Sequence, residues 1–301
     1  MTVTLDQIMA ELEANGSAQH RKVYTRHGYP ENTFGVSFNV LRILAKRCGT
    51  DPGLARALWQ TGNGDACILA TMVADPQTMT SKEFDSWIAG VSWYVLGDTF
   101  ATLAGRSPLA RQKCDEWRTS SSDYVGQVGW NLVGILARDD KTLDRSWLEG
   151  RIAEIEASIH KANNRTKHAM NMALCAIGGY RQDLTQAALA AAKRIGKVVV
   201  DHGETGCKTP SAGPYIERMV ARSAGKAGMT GKVASPGSRG QRVIRLAASD
   251  GRKAGVSSRV DSRAGGKSGV VVRLTSAESG RNGETSLRKQ GGKKITTTRR
   301  T

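Results

Sequence analysis

The sequence predicts an all-α fold in which helix pairs stack as a solenoid, followed by a basic tail with little capacity to form a core. Three observations predict it. Apolar residues recur at steps of three and four through residues 1–220, the period of one helical face. No stretch of alternating apolar and polar residues occurs before position 196, so a sheet is not expected there. All six Trp, four Phe, six Tyr, five His and five Cys lie in residues 1–220, whereas residues 221–301 hold 19 basic and 4 acidic side chains, 14 Gly and only 12 Leu, Ile, Val or Phe. A segment of that composition buries too little apolar surface to offset the entropy of ordering it. Residues 1–220 therefore read as the globular domain and 221–301 as a disordered basic Gly/Ser-rich tail.

The elements follow in order. Asp51-Pro52 places a capping side chain before a proline at the first helical position, and Ser107-Pro108 and Asp75-Pro76 repeat the pattern. Gly49, Gly62 and Gly178-Gly179 follow apolar runs, as C-terminal caps do. Val125, Val128, Leu132 and Ile135 mark one buried stripe; Leu148, Ile152, Ile155 and Ile159 mark a second; Leu184, Ala188, Ala191 and Ile195 mark a third. About twelve helices result. Their expected pairings are 36–47 with 51–62, 81–90 with 92–105, 122–138 with 145–160, and 164–180 with 182–195. A pair every 30 to 45 residues fits HEAT-like repeats of an armadillo-type superhelix, and a closed bundle is the alternative. Val270-Val-Val272 has the composition of one short, marginal strand.

Several classes drop out. No run of about 18 apolar residues occurs, so no membrane-spanning helix is expected. The N-terminus MTVTLDQIMAELEANG is acidic and amphipathic, without a basic-then-apolar signal pattern. Cysteines at 48, 67, 114, 175 and 207 are odd in number and widely spaced, which suggests reduced thiols in a cytoplasmic protein. The formal charge of +17 sits mostly in the tail, and a solvated basic arm attracts polyanions, nucleic acid first among them. No phosphate loop, Ser-His-Asp set or HExxH motif is present. His202 and Cys207, with Asp201 and Glu204, are too few for zinc spacing, so no metal or other cofactor is expected.

The most informative stretch is Val91-Ser-Trp-Tyr-Val-Leu-Gly-Asp98, an apolar helix pattern broken by one carboxylate. Tyr94 and Asp98 are four apart and share a helical face. From the pattern alone, Asp98 either faces a ligand or ties its helix to a neighbour, because a buried carboxylate needs a partner. Ser92-Trp93-Tyr94 followed by Asp98 resembles the motif of the AlkD-type DNA alkylation repair family, in which Ser-Trp-Trp is followed four residues later by Asp. The resemblance extends over most of residues 20–220. It includes the Phe34-Gly-Val36 lead-in to a basic helix, Asp123-Tyr-Val125, Lys167-His-Ala-Met-Asn-Met-Ala-Leu174, and the loop Val200–Pro210.

That resemblance implies a stack of HEAT-like repeats cradling double-stranded DNA. It also implies a glycosylase that hydrolyses the N-glycosidic bond of cationic N3- or N7-alkylated purines with one carboxylate. Such a base already carries positive charge and leaves without a general acid; the enzyme stabilises an oxocarbenium-like sugar and orients a water. Asp98 matches the catalytic carboxylate, and Tyr94 stands where the family has a Trp that packs on the sugar. Met172 stands at the place of the second such Trp, and Gln127 at that of an Arg near the DNA backbone. Trp93 and Trp130 are the neighbouring aromatic groups expected to pack on the lesion. The cations expected at phosphates are Arg111, Lys113, Arg118, Arg165, Lys167 and Lys208, with His168. A non-catalytic binder of DNA or of a protein partner is the alternative, motivated by Met172 and Gln127.

Overall fold

A computed structural model describes residues 3–230 and five short strands beyond them. The described part of residues 1–230 holds thirteen α-helices: α1 (Leu5–Ala14), α2 (Ala18–Arg26), α3 (Phe38–Cys48), α4 (Pro52–Gln60), α5 (Gly64–Val73), α6 (Ser81–Ile88), α7 (Tyr94–Ala104), α8 (Ala110–Trp117), α9 (Asp123–Asp139), α10 (Arg145–Ser158), α11 (Asn164–Tyr180), α12 (Thr185–Ile195) and α13 (Ala212–Thr230). Single 3-10 turns at Ile159–Lys161 and Gln182–Leu184 precede α11 and α12.

The helices form two layers. In the front layer α3, α5, α7, α9, α11 and α13 pack neighbour to neighbour in chain order. Of the helices between them, α8 packs on α9, α10 on α11 and α12, and α12 on α13. This is the stacking of a HEAT-like solenoid. The expected stripes supply the core between layers: Leu148, Ile152, Ile155 and Ile159 are all buried, as are Leu184, Ala188, Ala191 and Ile195. The pairings of 36–47 with 51–62 and of 122–138 with 145–160 are corrected, since α3 and α4 each pack on α5, and α9 packs on α8, α7 and α11. Ion pairs stitch the back layer from helix to helix: Arg56 to Glu83 (2.7 Å), Lys113 to Asp85 (2.7 Å), Arg118 to Glu154, Arg151 to Asp115 (3.5 Å) and Arg194 to Glu156 (2.5 Å).

The caps fall partly as expected. Asp51 accepts the Leu54 amide at the start of α4, and Gly49 closes α3 with φ +66. Gly178 and Gly179 are not caps. They lie inside α11, where α13 crosses so closely that a Cβ on Gly179 would stand 2.3 Å from Met219 Cε. Ser107-Pro108 does not start a helix directly either; Ser107 Oγ accepts the Leu109 amide, and α8 begins at Ala110.

The first compact unit ends at Thr230, so α13 runs past the expected boundary at 220. In the second unit, strands β1 (Val243–Ile244), β2 (Val256–Ser258) and β3 (Val272–Leu274) pair antiparallel in that order, and β4 (Thr285–Leu287) pairs with β5 (Thr297–Arg299). The strand expected around Val270-Val-Val272 is thus β3, which begins at Val272 and is paired with β2 instead of isolated. The expectation of disorder for the rest of 221–301 falls, beyond Thr230, on residues outside the described ones.

Candidate nucleic-acid interface

The site begins with a buried anion that shapes the N-terminal repeats. Asp65, in the first turn of α5, is 0 % exposed. Its Oδ2 accepts the Thr33 hydroxyl (2.7 Å) and the amides of Phe34 (2.7 Å) and Gly35 (2.9 Å), while Oδ1 accepts the Val36 amide (3.1 Å). A carboxylate at a helix N-terminus holding so many donors is well satisfied. The Phe34–Val36 segment so fixed carries α2. Gly35 has φ +78, and a Cβ there would stand 2.7 Å from the Arg21 amide, so only glycine lets α2 sit this close. His27, the C-cap of α2, reaches across the fold to the start of α7.

Tyr94 is the first residue of α7 and Asp98 lies one turn on. Gln127 Nε2 donates to Asp98 Oδ1 (2.8 Å) and to the Tyr94 carbonyl (2.8 Å), and Asn131 Nδ2 donates to the same Oδ1 (2.8 Å). One oxygen therefore ties α7 to α9. The other accepts no hydrogen bond and Asp98 forms no ion pair among the described residues. The tie to a neighbouring helix, one of the two sequence readings of Asp98, is thus present on one oxygen. Asp98 is exposed to solvent. Protein crowded around the carboxyl still pushes its pKa up, against the two amide donors and Arg165, which act to lower it.

Arg165, from the start of α11, places its Cζ 4.4 Å from the Tyr94 ring centroid, within cation–π range. The Tyr94 hydroxyl meets His27 Nδ1. Burial and then Cys207 push the Tyr94 pKa up to about 12, so the phenol stays protonated at neutral pH. The loop expected at 200–210 is strapped to α11. Asn164 exchanges bonds with the Asp201 backbone (2.6 and 2.8 Å), and Asn171 donates to the Pro210 carbonyl (3.0 Å). His168 Nδ1 and His202 Nε2 both lie 2.9 Å from the Thr209 hydroxyl. No group of three or more metal-capable side chains occurs among the described residues.

The structure thus brings together Asp98, Tyr94, Gln127, Arg165 and His168. Met172 is half-buried one turn beyond His168, Lys167 is half-buried on α11, and Lys208 is exposed in the loop. Five expectations are corrected. Trp93 (3 % exposed) and Trp130 (2 %) fill the core and offer no face to a lesion. Arg111, Lys113 and Arg118 belong to α8 and its end, in the back layer. Arg111 pairs with Asp115 (3.0 Å) and stacks on Trp147, Arg118 bonds Asp115 and Glu154, and Lys113 is held between Asp85 and Glu116 (2.6 Å). Lys113 is only 1 % exposed. Lys113→Met is expected to lower stability by roughly 2 kcal/mol, because two carboxylates lose their charged donor. Polyanion affinity should stay the same. A melting curve and a salt-matched binding curve check both halves.

Sequence reasoning missed His27, Asn131 and Asp65. Asn131 was accessible, being one turn from Gln127 and off the Val125–Ile135 apolar stripe. His27 carries no local signal; its partner is 67 residues away.

Helix pairs stacked in this order define the class of HEAT-like repeat proteins. The chain belongs to the DNA alkylation repair enzyme family, whose model matches residues 8–215. It is similar to an uncharacterised protein of Listeria innocua, 27 % identical over 226 residues, covering 73 % of this chain and 99 % of that protein. It is likewise similar to an uncharacterised protein of Listeria monocytogenes, 26 % identical over 231 residues with the same coverage, 73 % and 99 %. A solved structure aligns with TM-score 0.68 and 30 % identity over 73 % of this chain and 94 % of its own. It is described as a new family of proteins related to the HEAT-like repeat DNA glycosylases with affinity for branched DNA structures.

Proposed function

We propose that this chain binds DNA through its front layer, with branched DNA as the preferred form, and that it does not excise alkylated bases. The observation that carries this reading is the position of Arg165. Its guanidinium covers a face of the ring against which a cationic lesion and an oxocarbenium-like sugar would have to pack. Two cations at that spot repel each other, and Met172 supplies no second aromatic face to offset the repulsion. A phosphate, by contrast, is attracted by Arg165. The affinity described for the structural relative supports branched DNA as the ligand.

A second reading is favoured by the unengaged oxygen of the solvent-exposed Asp98. In it, that oxygen orients a water or stabilises a developing sugar cation, and the base leaves from an N-alkylpurine. One experiment separates the two. The full chain and Asp98→Asn are incubated with methylated duplex DNA, and binding to duplex and four-way junction is measured in parallel. The first reading expects salt-sensitive binding by both proteins, tighter for the junction, and no 7-methylguanine release by either. Release by the wild type that is lost in Asp98→Asn establishes the second.

A further inference from the structure

α2 touches the core through Tyr24, which is only half-buried. None of its nine residues is buried. It carries Arg21, Lys22 and Arg26, all exposed, together with His20, and it has no acidic residue. Lys22 and Arg26 stand four apart, where like charges repel along a helix. None of the three cations forms an ion pair among the described residues, whereas Arg56, Lys113, Arg118, Arg151 and Arg194 of the back layer do. A nine-residue helix is marginal by itself, yet this one is pinned carefully. Ser17 caps it, the Tyr24 hydroxyl donates to the Val36 carbonyl (3.0 Å), Tyr24 stacks on Tyr29 at 4.5 Å, and Gly35 permits the close seat. Its C-cap, His27, meets the Tyr94 hydroxyl. The fold thus holds in place a self-repelling helix whose charges find no partner within the described residues.

We infer that α2 binds the DNA backbone, with Arg21, Lys22 and Arg26 engaging phosphates of a DNA arm that approaches Tyr94 from the side opposite in sequence to Arg165 and Lys167. The inference rests on the DNA-binding reading and adds a partner surface to it. Two cationic elements, the C-terminal end of α2 and the N-terminal end of α11, meet at one tyrosine, one through its hydroxyl and the other over its ring. Ligands that present two backbones together gain from both elements at once. A polyanion also relieves the repulsion within α2, so binding stabilises the helix it uses.

The test compares three full-length proteins. One is the wild type, and one carries Arg21→Glu, Lys22→Glu and Arg26→Glu. A control carries the same charge change at exposed back-layer and turn positions, Lys82→Glu, Lys161→Glu and Lys193→Glu. Dissociation constants for a duplex and a four-way junction are measured over a range of salt. The α2 variant is expected to bind tenfold or more weakly, with a log–log salt slope shallower by roughly 0.9 for each phosphate that is no longer neutralised. The control should keep most of the wild-type slope. Equal losses in variant and control, or an unchanged slope in the α2 variant, overturn the inference while leaving DNA binding intact. A wild type with no salt-dependent DNA binding removes the underlying reading as well. If circular dichroism shows the charge-reversed chain misfolded, the Gln triple at the same positions, which only neutralises, gives the deciding slope.

Discussion

Asp65→Ala is expected to lower stability by at least about 3 kcal/mol, because four buried or half-buried donors lose their acceptor together and each orphaned donor costs about 1 kcal/mol or more. For a domain of this size that corresponds to a fall in melting temperature of roughly 6–12 °C. Asp65→Asn rescues only in part: its carbonyl oxygen can replace Oδ2 and keep three donors, but its NH2 then faces the Val36 amide. The consequence reaches the site, since the Ser17 amide bonds the Phe34 carbonyl (3.0 Å) and Tyr24 bonds Val36. Loosening Phe34–Val36 therefore frees α2 and, with it, His27. Amide exchange should accelerate first at Phe34, Gly35 and Val36. A melting temperature within a degree or two of the wild type would show that the carboxylate is dispensable.

The same residues show what a sequence conveys and what it conceals. The solenoid was legible because helical periodicity is local: the stripes Leu148–Ile159 and Leu184–Ile195 are buried as spaced. Asp98 was legible because a carboxylate in an otherwise apolar pattern demands an explanation. What local spacing hides is the partner across the fold. Arg111, Lys113 and Arg118 read as a basic helix face, yet Lys113 and Arg118 find carboxylates 28 and 36 residues away in sequence, at Asp85 and Glu154. Trp93 and Trp130 read as stacking surfaces because aromatic side chains serve cores and ligands alike. Gly178-Gly179 read as a cap because glycine serves both a left-handed turn and a close helix crossing, and only the position of Met219 tells which.

Asp65 escaped notice for a related reason. Its first-turn position looks like ordinary helix capping, and the loop whose amides it collects lies about thirty residues earlier. His27 and Arg165 converge on Tyr94 from opposite ends of the chain. Neither Arg165 in a polar helix start nor His27 before a glycine announces that convergence. Sequence placed an aromatic ring one helical turn from a carboxylate, and the fold adds a guanidinium over that ring.

His168 is expected to make the chain lose stability in mild acid. Unfolded, its imidazole takes up a proton near pH 6.5. In the folded chain burial, then the neighbouring His202 and Arg165, hold its pKa down to about 4. Between those values the unfolded chain binds the proton and the native chain does not. The stabilisation is therefore fully present above about pH 6.5 and is lost as pH falls toward 4. By pH 5 the loss is about 2 kcal/mol. His202 and His27 are lowered too, by burial first, and act in the same direction. Asp98 opposes them, because its raised pKa lets the native carboxyl accept a proton more readily than the unfolded one. The lowered carboxylates Glu11 and Asp139, each held by an arginine, act only at still lower pH. The measurement is the urea midpoint at pH 7 and pH 5 for the wild type and His168→Asn, which does not titrate. The variant should start less stable at pH 7, without the imidazole bond to Thr209, and should lose about 2 kcal/mol less between the two pH values. Parallel losses in the two proteins would place the acid-sensitive proton elsewhere, with His202 the next candidate because it shares the Thr209 hydroxyl.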